Sequence, residues 1–252
     1  MSITQCPKCH YQRREIDTLA HPEICPACGI VYHKWLAKQK ASESQGDEAG
    51  AIETHPYCSR RAQLWQLVTA VPTHVDPAVL WARVMTLGLF SLWGGAFIFG
   101  GLDWEGIGRS FMHNINLPFH EFGHVLFSPF GRFMMILGGS LFQVLLPLGL
   151  TLVFVVKQHD NFAGSITLWW CGQSFIDLSP YIADAPYRSL PLIMGMGEEY
   201  HDWGNLLTMI NAMDSAGAIA RGSFLLGSLI MVLALLWGGY ILRLQKRNLT
   251  AL

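Results

Sequence analysis

Four stretches of the chain carry no charged residue: 84–102 between Arg83 and Asp103, 133–156 between Arg132 and Lys157, 161–176 after Asp160, and 222–242 between Arg221 and Arg243. Inside a bilayer every backbone polar group must be satisfied within the protein, and about 20 apolar residues are needed for a helix to cross. The first, second and fourth stretches reach that length and the third falls slightly short. Charged residues make up only 14% of the chain and hydrophobic ones 51%, against about 25% charge in a soluble domain. The expected fold is therefore mostly α, a polytopic helical membrane protein with the lipid bilayer as its surroundings. Trp81, Trp93, Trp104, Trp237 and Tyr240 lie near run ends, where aromatic anchors sit at the interface. Trp169 and Trp170 lie inside their run, which suits packing between helices.

The charges are concentrated toward the N-terminus, so a polar head precedes an apolar body. Net charge is −1, which gives no strong basic field for nucleic acid or anionic lipid. The opening MSITQCPKCH has no basic segment leading into an apolar stretch, so no cleaved signal peptide is expected and the head belongs in the cytoplasm.

Within the head, Cys6 and Cys9 form one C-x-x-C and Cys25 and Cys28 another, the spacing of a four-cysteine zinc ribbon. Each pair sits in a tight turn, and Gly29 is able to take positive φ just after the second. A unit this small cannot bury an adequate core, so a structural zinc is expected to supply much of its folding energy. The motif leaves open whether the head binds substrate, a protein partner or the rest of the chain. These features divide the chain into a zinc ribbon at 1–38, a small, polar, acidic linker at 39–58, an interfacial helical region at 59–82 and a helical membrane domain at 83–252. In the third of these, Leu64, Trp65, Leu67 and Val68 follow Arg60 and Arg61 as an amphipathic surface helix. Asp76 and Pro77 then read as N-cap and first position of the first membrane helix. Cys58 and Cys171 stand alone and read as free thiols.

The body contains His120-Glu121-Phe122-Gly123-His124, an H-E-x-x-H. On a helix, residues four apart share a face, so both imidazoles can ligate one zinc with Glu121 beside it. Zinc lowers the pKa of a bound water toward 7, and the carboxylate takes its proton as the water attacks a carbonyl. Asn116 as cap with Pro118 in the first turn predicts a helix beginning just before His120. Glu121 is the sole acid in an apolar stretch, 110–131, where an ionisable group is costly unless paired or bound to metal.

A catalytic zinc needs a third protein ligand and one open position. The downstream candidates are Asp177, Asp184, His201 and Asp202. Pro180 is expected to break or kink its helix, turning a polar group toward a cavity. Gly138, Gly139 and Ser140 predict close approach to the H-E-x-x-H helix, with Gln143 placed to hydrogen-bond the site or a substrate backbone.

These residues resemble the site-2 protease family of intramembrane zinc metalloproteases. That family joins an H-E-x-x-H helix, a second helix, and a third helix with a metal-binding Asp, usually as N-x-x-P-x-x-x-L-D-G. His120, Glu121 and His124 match the first element, 133–156 supplies the second and 161–184 the third. Ile182-Ala183-Asp184-Ala185 stands where L-D-G would lie, with Asp177 near the family Asn and Pro180 near its Pro. The resemblance implies a membrane-embedded zinc metallopeptidase that hydrolyses peptide bonds of membrane-protein substrates. It implies one catalytic zinc on His120, His124 and Asp184, with Asp177 the alternative third ligand, and Glu121 as catalytic base. Joined to a cytoplasmic ribbon, such a body also resembles bacterial membrane proteins, which implies the bacterial inner (cytoplasmic) membrane. Ala185 in place of Gly and Asp177 in place of Asn favour the alternative of a catalytically inactive, membrane-anchored zinc-ribbon adaptor or assembly factor. A zinc hydrolase of lipid or small molecules is a third reading, since H-E-x-x-H activates water whatever the electrophile. Basic residues in the head and Arg243, Lys246 and Arg247 at the tail place both ends in the cytoplasm, requiring an even number of crossings. Either the 113–130 segment is re-entrant or 189–215 folds partly into the membrane.

Overall fold

The computed structural model describes residues 5–14, 17, 21–43, 60–191 and 197–249. The chain divides into two compact units, Met1–Cys58 and Ser59–Leu252. Most of the expected linker, with Cys58, lies outside the described residues.

In the first unit two short turns repeat each other. Residues 5–12 and 24–31 each close with an antiparallel bridge, Gln5 to Gln12 and Ile24 to Val31. The Cys6 amide donates to the Tyr11 carbonyl at 2.8 Å and the Cys25 amide to the Ile30 carbonyl at 2.9 Å. At the equivalent position after each second cysteine the backbone is left-handed, at His10 (φ 58°) and Gly29 (φ 71°). Helix α1 (Tyr32–Glu43) follows. It runs past the expected boundary at residue 38 because Ala37-Lys38-Gln39-Lys40-Ala41 are all good helix formers and no Gly or Pro interrupts them.

The second unit is helical throughout: α2 (Arg60–Thr69), α3 (Pro77–Gly100), α4 (Trp104–Gly108), α5 (Phe111–Phe127), α6 (Arg132–Val153, continued by a π turn to Gln158), α7 (Asn161–Ala183), α8 (Asp202–Met209) and α9 (Ala216–Arg247). The segments Pro77–Gly100, Arg132–Gln158 and Met213–Arg247 are long and apolar enough to cross a membrane, and they coincide with the three longest uncharged runs. Asp76 caps α3 as its sequence suggested, accepting from the Ala78 amide at 2.7 Å. The third run, 161–176, became α7, the most enclosed helix of the unit. Gln173, Ser174 and Ser179 are fully buried there, which explains why its hydropathy is lower although it sits at the centre. It packs chiefly on α9, where Gly172 and Gly227 meet so closely that a Cβ on either would strike the other's carbonyl oxygen.

Hydrogen bonds fix which helix ends lie together. The Val75 amide donates to the Asn248 carbonyl at 2.9 Å, tying the start of α3 to the end of α9. Asn161, at the start of α7, donates to the Leu67 and Ala70 carbonyls at the end of α2. Arg83 of α3 pairs with Asp160 at 2.7 Å. The opposite end of the bundle holds the end of α3, the start of α6, the end of α7, α8 and the start of α9. Helix α5 does not run the full length: Phe111 stacks on Trp93, well inside α3, at 6.4 Å between centroids. From there α5 returns to the end where α6 begins.

Two prolines behave differently from expectation. Helix α5 starts at Phe111 with Ser110 as its cap, the hydroxyl accepting from the Met112 amide at 3.1 Å, so Asn116 is not a cap and Pro118 lies inside the helix. Asn116 is buried and its amide is engaged by α7, and the packed face of Met112, Asn116, His120 and Gly123 offsets the roughly 3 kcal/mol that an interior proline costs. Pro180 does not break α7 at once. It leaves the Ile176 carbonyl without its helical donor, and the Ser179 hydroxyl donates there instead at 2.6 Å. The helix then ends at Ala183.

Candidate metal centres

In the first unit the sulfurs of Cys6, Cys9, Cys25 and Cys28 all lie within 4.8 Å of one another, and the Cys6–Cys28 and Cys9–Cys25 pairs are 3.7 Å apart. Sulfurs placed tetrahedrally about 2.3 Å from a zinc lie roughly 3.8 Å apart, so the set fits that ion. Desolvation raises the Cys25 thiol, but the Cys28 and Ala27 amides and the neighbouring sulfurs outweigh it and hold the pKa down at about 6. At Cys9 the Tyr11 backbone lowers the thiol, but desolvation and the neighbouring sulfurs raise it to about 12, so only the second turn favours the thiolate that a metal needs.

In the second unit His120, His124 and Asp202 form the other group, among the described residues, able to hold a metal. Helical spacing puts both histidines on the face of α5 that meets α6. Close approach there is enforced by glycine: a Cβ on Gly123 would lie 2.2 Å from the Gly138 carbonyl oxygen, and one on Gly139 would lie 2.6 Å from Nε2 of both histidines. The small-residue stripe anticipated on α6 thus opens the space into which the imidazoles project. The third member comes from the first turn of α8. Oδ2 of Asp202 is 3.0 Å from Nε2 of His120 and 3.3 Å from Nε2 of His124.

Hydrogen bonds on the far sides of the rings determine what these nitrogens offer. Nδ1 of His124 faces the Met135 carbonyl oxygen at 2.9 Å, which can only accept, so Nδ1 carries the proton. Nδ1 of His120 faces Oε1 of Gln143 at 3.0 Å. The Gln143 amide nitrogen donates to Oδ2 of Asp177 at 2.8 Å, which fixes the amide and makes Oε1 the acceptor. With the proton on Nδ1, each Nε2 can donate a second proton to Asp202 as the imidazolium or, in the neutral ring, give its lone pair to a cation. Neutral rings would make three converging acceptors that a cation satisfies, and ligands at zinc–nitrogen and zinc–oxygen distances of about 2.1 Å lie roughly 3.4 Å apart in a tetrahedron.

The carboxylate beside the two histidines is thus Asp202 and not the expected Asp184 or Asp177. Neither Asp184 nor Asp177 reaches the two histidines' Nε2 atoms. Asp184 ends α7 and accepts from the Ser189 amide and hydroxyl at 2.8 and 2.6 Å and from the Leu190 amide at 2.9 Å. It also accepts from Nε2 of His201 at 3.2 Å. His201, fully buried, caps α8 by accepting from the Gly204 amide at 3.0 Å. Asp184 and His201 therefore hold the turn that delivers Asp202. Asp177 has both oxygens engaged, Oδ1 by Nδ1 of His113 at 3.1 Å and Oδ2 by Gln143 and Asn116. What sets the position of Asp202 is long-range: the Trp203 indole donates to the Ser140 hydroxyl of α6 at 3.1 Å, and the Asp202 amide donates to the Tyr181 hydroxyl of α7 at 2.8 Å. An acid in the first turn of a short helix was readable, but these contacts were not.

The trio lines a cavity of about 540 Å³ whose wall also includes Glu121, Leu117, Tyr181, Pro191 and Tyr200. The Glu121 carboxylate forms no hydrogen bond or ion pair among the described residues, so it is available to whatever enters. No protein-family model, curated protein or solved structure matches the chain.

Proposed function

We propose that the helical unit is a membrane-embedded zinc metalloprotease that hydrolyses peptide bonds of membrane-protein substrates. The observation that carries this reading is the convergence of Nε2 of His120, Nε2 of His124 and Oδ2 of Asp202 on the wall of a cavity that also holds Glu121. When bound there, zinc supplies a Lewis acid that activates water and polarises a carbonyl. Glu121 takes the proton from the attacking water and passes it to the leaving amine. His120 and His124 hold their lone pairs inward, and Asp202 supplies the negative charge that balances the ion. The family resemblance of the H-E-x-x-H segment supports proteolysis, with the carboxylate ligand moved from the end of α7 to the start of α8. In the same reading the four cysteines hold a structural zinc.

Charge supports an orientation. Arg60, Arg61, Arg83, Lys157, Arg243, Lys246 and Arg247 belong to the bundle end where α2, the start of α3 and the end of α9 meet, opposed there by Asp76 and Asp160. The other end has fewer basic residues, Arg109, Arg132, Arg188 and Arg221, beside the acids Asp103, Glu105, Glu198, Glu199 and Asp214. Basic residues favour the cytoplasmic side, so α3, α6, α7 and α9 cross and the cavity opens in the outer half of a bacterial inner membrane.

The test is proteolysis of an identified membrane substrate by detergent-purified protein. Glu121→Gln is expected to lower turnover by about 100-fold or more with metal retained. Unchanged cleavage by that variant would overturn the protease reading and leave the adaptor in its place.

A further inference from the structure

Asp177 is an anionic side chain 4% exposed in the interior of a membrane helix bundle, and the proposed hydrolysis has no direct use for it. Such a group is costly there unless its oxygens are satisfied. Both are, and the arrangement of its partners has a direction. Oδ2 takes the Gln143 amide at 2.8 Å and the Asn116 amide at 3.1 Å. Asn116 is itself pinned, donating also to Oε1 of Gln173 at 2.9 Å and accepting from the Trp170 indole at 2.8 Å. The Gln143 amide has only one orientation in which its nitrogen meets the carboxylate, and that orientation points Oε1 at Nδ1 of His120, 3.0 Å away. A flipped amide would place its nitrogen against Nδ1 and its oxygen against the carboxylate. His120 would then have to carry its proton on Nε2, the atom that faces Asp202.

We propose that Asp177 is a positioning residue that acts through Gln143: its carboxylate locks the Gln143 amide, which locks His120 in the tautomer whose Nε2 lone pair binds the metal. The inference rests on the metal-site reading above and deepens it. His124 has no such relay, since a backbone carbonyl of α6 does the same work for it. The buried charge is thus explained by what a neutral side chain would not enforce, namely the direction of a symmetric-looking amide. Ligand histidines held in this way lose about 10- to 100-fold in metal affinity when the outer partner is removed.

The experiment is zinc affinity of the full-length protein, read by chelator competition at the site that a His120→Ala/His124→Ala control abolishes. Gln143→Leu removes the acceptor from Nδ1 and is expected to weaken zinc by about 10- to 100-fold. Gln143→Glu sets a second carboxylate against Asp177 and is expected to weaken it by at least about tenfold. Adding Asp177→Asn to Gln143→Glu gives the new carboxylate an amide donor at the expense of the Asn116 contact, and the double variant is expected to bind zinc more tightly than Gln143→Glu alone. A structural role alone does not predict that rescue. If wild type holds no zinc that the histidine control removes, the metal-site reading fails and this inference with it. If wild type holds that zinc but Gln143→Glu binds it equally tightly, or the double variant binds no better than Gln143→Glu, the relay alone is overturned.

Discussion

The two candidate metal centres gather their ligands in opposite ways. In the four-cysteine unit, partners no more than 22 positions apart meet because each C-x-x-C turn folds on itself, with its own bridge and its own left-handed residue. In the helical unit His120 and Asp202 are 82 positions apart, and they meet only because α6, α7 and α8 are already packed. A local centre fixes the fold around it, whereas a non-local centre is fixed by the fold. The first should therefore collapse when its metal is removed and the second should survive as an empty cavity.

The largest effect expected from this contrast is on the first unit. Cys6→Ser should abolish its metal and with it the fold of the unit, because so small a core depends on the ion. Limited proteolysis should show new cleavage confined to residues 1–58, with the second metal retained. Loss of both metals would break the comparison by showing that the two centres depend on each other.

A smaller effect, on the second centre, comes from Gly139→Ala. The added methyl would lie 2.6 Å from Nε2 of both histidines, so the metal of the helical unit should be lost. Overpacking should lower stability by about 1–3 kcal/mol, read as thermal unfolding of a protein whose helix content is unchanged. Full metal retention would show that α5 and α6 can part without harm to the site, and the close approach at Gly123 and Gly138 would then be packing alone.

The same contrast explains what was legible in the sequence. The three long uncharged runs became the three helices able to span a membrane, and H-E-x-x-H put two candidate ligands on one helical face, because both signals are periodic and local. The glycines at 138 and 139 were readable as a point of close approach for the same reason. Asp202 was one of four candidates, and the family pattern drew attention instead to Asp184, at the end of α7. What chose between them was not local: Trp203 reaching Ser140, and Tyr181 meeting the Asp202 amide. Pro118 misled in a related way. As a helix-start signal it competed with Ser110, and the buried contacts of Asn116 with α7 decided the outcome.

The central claim is that His120, His124 and Asp202 hold a metal ion in the membrane body, and zinc per chain in detergent-purified protein tests it most directly. Wild type should carry two zinc ions and both His120→Ala/His124→Ala and Asp202→Ala should carry one. Asp184→Asn should keep two, with the body site weakened by less than about tenfold because it acts only through the turn before α8. One zinc in wild type, or two in Asp202→Ala beside one in Asp184→Asn, would contradict the account.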